Sequence, residues 1–143
     1  MKKKLAEIGW REYVDIPELG IVGVKAKVDT GARTSCIHAF SVTTFEKENA
    51  VWVRFGVHPN QGDHGTEVWC EAPVVDYREV TDSGGHSEMR YVIASQLIIG
   101  KHQFRTELTL TNRDTMRFRM LLGRRAMTKR FIVNPSASYL QLK

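Results

Sequence analysis

The residues with the most chemical promise lie in Lys27-Val28-Asp29-Thr30-Gly31-Ala32-Arg33, where an alternating run delivers a carboxylate into a turn that carries glycine. Val22, Val24, Ala26 and Val28 alternate with Gly23, Lys25, Lys27 and Asp29, the period of a half-buried strand. Asp29 then leaves the sheet where the chain turns, as a carboxylate must if it is to meet a substrate. The Thr30 hydroxyl can lock the loop, and Gly31 admits backbone angles or a close approach that a side chain forbids. Asp and Gly also build ordinary Asx turns, so the tripeptide does not decide the matter by itself.

A second segment, Met120-Leu121-Leu122-Gly123-Arg124, is an apolar run that ends in glycine followed at once by arginine. Together the two segments resemble the retropepsin-like aspartic peptidases, in which an Asp-Thr-Gly-Ala loop packs against a later hydrophobic-hydrophobic-Gly-Arg segment. The resemblance makes Asp29, Thr30 and Gly31 the catalytic loop, with Ala32, Leu122, Gly123 and Arg124 in support. More narrowly, the chain resembles a family of small bacterial proteins labelled ATP-dependent zinc proteases. That likeness runs from Ile8-Gly9-Trp10 through Ala26 to Ser35 and on to Met120-Leu121-Leu122-Gly123-Arg124. The residues favour an aspartic mechanism over that label.

What the resemblance implies is peptide-bond hydrolysis by water, with no metal or cofactor. Two carboxylates must share such a site, because like charges a few ångströms apart hold one proton between them. One then activates water while the other polarises the scissile carbonyl. This chain supplies one Asp-Thr-Gly and is about half the length of a two-lobed enzyme. A symmetric homodimer, with one Asp29 from each subunit, is therefore expected. In the family the terminal strands help to build that interface, a role assigned to the alternating tail Ser138-Tyr139-Leu140-Gln141-Leu142 or, alternatively, to completion of the subunit's own sheet. Thr30 would hold the paired loops. Ala32 lacks the hydroxyl of a serine that would favour the ionised carboxylate, so the site is expected to work nearer neutrality. Arg124 is expected to pair with an acidic residue near the loop. Arg33 replaces the acidic residue of the retroviral pattern and favours an acidic substrate. Members of the bacterial family are associated with ATP-grasp ligases that add glutamate to proteins, which implies an acidic peptide or glutamate-modified protein as substrate.

Around these segments the chain reads as mainly β: a small closed or partly open barrel of the retropepsin-like, acid protease type, or a sandwich. Val51, Val53, Phe55 and Val57 form one alternating set, Thr106, Leu108 and Leu110 another, and Met116, Phe118, Met120 and Leu122 a third. Turn-forming residues lie at 58–65, 81–86 and 111–114. One short helix near the C-terminus is expected from Arg124 to Lys129. Glu67 to Ile99 is expected to fold as a long hairpin with its tip at Asp82 to His86. By the resemblance this is a flap over substrate, with Ser83, Gly84 and Gly85 giving it mobility; a surface hairpin without a role is the alternative.

The 143 residues suit a single domain spanning 1–143, with residues 1–6 as a flexible tail. Neither a secretory leader nor a membrane-spanning run is visible, and two cysteines make no disulfide framework, so a cytoplasmic setting is expected. The five histidines include no helical metal motif; a site from His58, Asp63, His64 and Cys70 with His38 and Cys36 is the zinc alternative. Cys36-Ile37-His38 resembles a nucleophile and base only superficially. No phosphate-cradling glycine loop is present, so any ATP dependence would come from a partner. The net charge of +5 and the cations between Arg113 and Arg130 make a basic surface, which supports binding of an acidic partner or, as a less favoured class, RNA without catalysis.

Overall fold

Alternating apolar residues build a core enclosed by twelve strands in the computed structural model, which describes residues 4–60, 65–82, 84–112 and 117–141. The strands are β1 (Ala6–Ile8), β2 (Arg11–Ile16), β3 (Ile21–Val28), β4 (Ser35–His38), β5 (Ser41–Lys47) and β6 (Ala50–Val57), followed by β7 (Val68–Pro73), β8 (Asp76–Thr81), β9 (Ser87–Ile99), β10 (His102–Thr111), β11 (Met120–Leu122) and β12 (Phe131–Val133). Six of them run in the order β10-β4-β11-β3-β2-β9, and pairing of β9 with β10 closes the ring. The long β9 makes closure possible: its early residues pair with β8, its far end meets β2 at Ile98, and its other edge carries β10. A separate antiparallel sheet, β5-β6-β7, turns Val53, Phe55, Cys70 and Ala72 into the core shared with Ile16, Val24, Ile37, Leu97, Leu108 and Met120. The parallel pair β1 and β12 ties the two ends together. The fold is therefore the mainly β, retropepsin-like barrel expected from the sequence. Among the described residues no helix is long and apolar enough to cross a membrane.

Several local expectations change. Val22 is 76% exposed, because Gly23 takes a φ of 69° and the β2–β3 register shifts between Val14 and Ile16. That bulge passes the inward position to Ile21, and the Gly23 N–H donates to the Asp15 carboxylate at 2.7 Å. The strand expected from Met116 begins only at Met120; Met116 lies outside the described residues, and Phe118 and Arg119 occupy bends. Arg119 is consequently buried rather than on a solvated strand face, since its carbonyl takes the His38 N–H at 2.8 Å and draws the backbone against β4. The hairpin is shorter than the Glu67–Ile99 span: β7 pairs with β6, and only β8 and β9 surround the turn at Asp82–His86. The helix α1 covers Arg124–Met127 and stops before Lys129.

The ends also differ. Ala6, assigned to the flexible tail, already pairs with Phe131 in β1. Residues 138–141 form no strand. They are folded onto their own subunit by the buried Glu12 carboxylate, which accepts from Leu140 N–H at 2.9 Å and Gln141 N–H at 3.0 Å. Leu142 lies outside the described residues.

Candidate active site

Three strands make the platform. β11 lies between β3 and β4, parallel to the first and antiparallel to the second. Leu121 is opposite Lys27 and Leu122 opposite Val28. The ladder continues one step past β3, because the Asp29 N–H donates to the Leu122 carbonyl at 2.9 Å. The chain then turns: the Ala32 N–H reaches the Asp29 carbonyl at 3.2 Å, and the Gly31 N–H reaches Asp29 Oδ1 at 3.0 Å. This Asx turn fixes the carboxylate by one oxygen and, among the described residues, leaves Oδ2 without a donor. Asp29 is half-buried, while Thr30 and Gly31 are exposed. The loop is thus presented outward from a rigid base.

Gly123 explains why the two sequence segments come together. A Cβ there would stand 2.5 Å from the Thr34 carbonyl carbon, so only glycine lets β11 run this close to the chain leaving the loop. Its N–H donates to Ser35 Oγ at 2.9 Å. Next, the Arg124 and Arg125 N–H groups donate to the Ala32 and Arg33 carbonyls at 2.7 and 3.0 Å. Among the described residues Arg124 does not pair with an acid as expected. Its Nη1 donates to the Thr30 carbonyl at 3.0 Å, so the guanidinium holds loop backbone instead. The expected Thr30 lock is also absent from this subunit: among the described residues the hydroxyl makes no hydrogen bond, and backbone contacts hold the loop.

The hairpin of β8 and β9 is moored beside this loop. Arg78 Nη2 lies 2.8 Å from Glu107 Oε1 and 3.4 Å from Thr34 Oγ1, and Nη1 lies 2.9 Å from Asp76. Glu107 first, then Asp76, holds the Arg78 pKa above its ordinary value. At the tip, Asp82 Oδ1 accepts from Gly84 and His86 N–H at 2.9 and 3.0 Å, and Gly85 has a φ of 84°. Ser83, the third flap candidate, lies outside the described residues.

Sequence reasoning missed Arg90. It is buried on β9, with Nε 2.6 Å from Glu88 and Nη1 3.6 Å from Cys36 Sγ and 3.5 Å from Thr109 Oγ1. Alternation alone gives no sign that a barrel strand turns an arginine inward. Also unforeseen is a cavity lined by Trp10, Lys27, Arg117, Phe118 and Leu121 on the platform that carries Asp29.

The residues of the zinc alternative are scattered in their roles. Cys36 and Cys70 are both buried and are not joined in a disulfide, and burial pushes the Cys70 thiol up to about 12. His38 is buried, and His58 stacks on Phe40 with Nδ1 3.1 Å from the Thr66 carbonyl. Asp63 and His64 lie outside the described residues. Among the described residues no three metal-ligating side chains gather into a group.

Comparison with known proteins bears on the family and the fold. Proteins named "Probable alpha-L-glutamate ligase" from Shewanella pealeana and Desulfotalea psychrophila are 48% and 50% identical over 132 and 129 residues, 92% and 90% of this chain. The chain spans only 29% and 28% of their lengths. In fold it is similar to the crystal structure of a Legionella pneumophila protein of unknown function (DUF785), with a TM-score of 0.79 at 24% identity, covering 97% of this chain and 100% of that one. A sequence profile described as the retropepsin-like aspartic endopeptidase RimB matches residues 7–143, and the chain belongs to that RimB-like family.

Proposed function

We propose that the protein hydrolyses peptide bonds by an aspartic mechanism in a homodimer, with one Asp29 from each subunit. The observation that carries this reading is the half-buried Asp29, fixed at the end of β3 by the Leu122 carbonyl and by its own Asx turn beside the exposed Thr30 and Gly31. One chain presents one such carboxylate, and the mechanism needs two in contact, sharing a proton. A twofold axis through the exposed Thr30–Gly31 surface supplies the second. Water is the nucleophile. One carboxylate takes its proton as it attacks, while the protonated partner donates toward the carbonyl oxygen. Thr30, whose hydroxyl makes no hydrogen bond among the described residues, bonds across the axis in this dimer.

An acidic peptide or glutamate-modified protein is the substrate class this reading favours. Lys27, Arg33, Arg124 and Arg125 are exposed around the loop, and the similar proteins bear a glutamate-ligase name. Two cysteines that form no disulfide suit a reducing cytoplasm. The test is cleavage of a peptide library between pH 4 and 8 by the native protein, by the native protein with chelator, and by Asp29→Asn. Activity that survives chelator and vanishes in Asp29→Asn is expected. Activity lost to chelator but kept in Asp29→Asn overturns the aspartic reading in favour of zinc.

A further inference from the structure

The cavity beside the loop has a composition that selects for charge. Its apolar part is Trp10, the buried Phe118 and Leu121, with the Trp10 and Phe118 rings edge to face at 5.9 Å. Its polar part is two exposed cations, Lys27 and Arg117, and among the described residues no acid lines it. Among the described residues neither cation has an ion-pair partner. The volume is about 250 Å³, below the roughly 300 Å³ at which drug-sized ligand pockets begin, so it suits one side chain rather than a cofactor.

Its position relates it to the chemistry. Lys27 precedes Asp29 by two positions on one strand face, a separation of about 7 Å along the backbone. Leu121, opposite Lys27, precedes the Leu122 whose carbonyl holds Asp29. A peptide lying across Asp29 therefore passes this cavity with a neighbouring side chain. Trp10 is braced from outside by Arg11, whose guanidinium lies 4.5 Å from the Trp10 ring centroid and 4.9 Å from that of Tyr139.

We propose that Lys27 and Arg117 are specificity-determining residues that receive the carboxylate of a glutamate-like substrate side chain, whose methylene stem lies against Trp10, Phe118 and Leu121. This rests on the aspartic reading for its link to catalysis, but the recognition itself can be measured without turnover. A chain of methylenes ending in a carboxylate uses both parts of the cavity; a glutamine of the same shape loses the charge-assisted bonds.

The experiment uses the full chain and matched peptides that differ only in Glu, Gln or Lys at each position flanking the cleaved bond. Native protein is expected to favour Glu over Gln in kcat/KM by about tenfold or more at one position. In Lys27→Gln and Arg117→Gln the Glu/Gln ratio falls toward unity, and Lys27→Glu turns the preference toward Lys. Using a ratio within each variant separates selectivity from general loss of folded protein. In parallel, fluorescence anisotropy of the same peptides is measured on Asp29→Asn with and without Lys27→Gln. Glu-selective binding that depends on Lys27, without cleavage by native protein, retains the pocket and removes the aspartic reading. Cleavage with a Glu/Gln ratio unaltered by either cation, or binding indifferent to Glu, Gln and Lys, overturns the proposal.

Discussion

Glu12 has 1% exposure, and its carboxylate is divided among the N–H groups of Gly9 at 2.7 Å, Leu140 at 2.9 Å and Gln141 at 3.0 Å. It therefore joins the start and the end of the chain. Removing it would leave the buried Gly9 N–H and the part-buried Leu140 and Gln141 N–H groups without their acceptor, so Glu12→Ala should lose about 2–4 kcal/mol in urea unfolding. Gly123→Ala addresses the site's scaffold instead. Its Cβ meets backbone at 2.5 Å, and overpacking of this kind costs about 1–3 kcal/mol or more, with activity falling further than stability because the Asp29 loop moves. For Ala32→Ser, an added hydroxyl that bonds the ionised carboxylate should move the pH optimum of cleavage to a lower value; an unchanged optimum would remove that explanation of the alanine. Cys70 gives a stability prediction with a definite sign. Its folded-state pKa is raised from 9.0 to about 12 by burial, so its contribution is intact below pH 9 and is lost as pH rises toward 12. Alkylation at pH 8 should accordingly spare Cys70 until the protein unfolds.

The hairpin of β8 and β9 is the element most open to adjustment. Its mooring, Arg78 to Glu107, joins side chains that are 33% and 37% exposed, so it contributes at most about 1 kcal/mol. Glu107→Gln should raise amide exchange along β8 by about fivefold while leaving global unfolding almost unaltered; exchange unchanged from native would mean that β-pairing alone holds the hairpin. The alternation of Val53 and Phe55, the turn at Asp82–His86 and the short helix at Arg124 were all legible in the sequence, because each depends on neighbours a few residues apart. Less legible were the ends of elements. Val22 reads as an inward strand residue, and only the bulge at Gly23 turns it out; Ser138 to Gln141 alternates like a strand, yet Glu12 takes its backbone N–H groups. A competing partner remote in sequence overrides a correct local pattern.

At the scale of the whole molecule, the aspartic reading requires association, so activity should be second order in chain at low concentration. Mixing native chain with Asp29→Asn should reduce total cleavage with the square of the native fraction, if mixed dimers are inert and exchange freely. Sedimentation velocity over the same concentrations checks that the loss follows dissociation. The tail folded against Glu12 also implies that any dimer contact made by residues 138–141 uses their side chains, since much of their backbone bonding is internal. The sequence by itself determined that a strand would deliver Asp29 into a glycine turn and that an apolar-Gly-Arg segment existed to meet it. Strand period and the absence of a Cβ are local properties. Only the tertiary structure decided how they meet: Gly123 donating to Ser35 across 88 positions, and Arg124 grasping the Thr30 carbonyl across 94. It likewise decided that Trp10, Lys27, Arg117, Phe118 and Leu121 share one cavity, because the sheet order sets β3 and β11 side by side and no local pattern encodes which strands become neighbours.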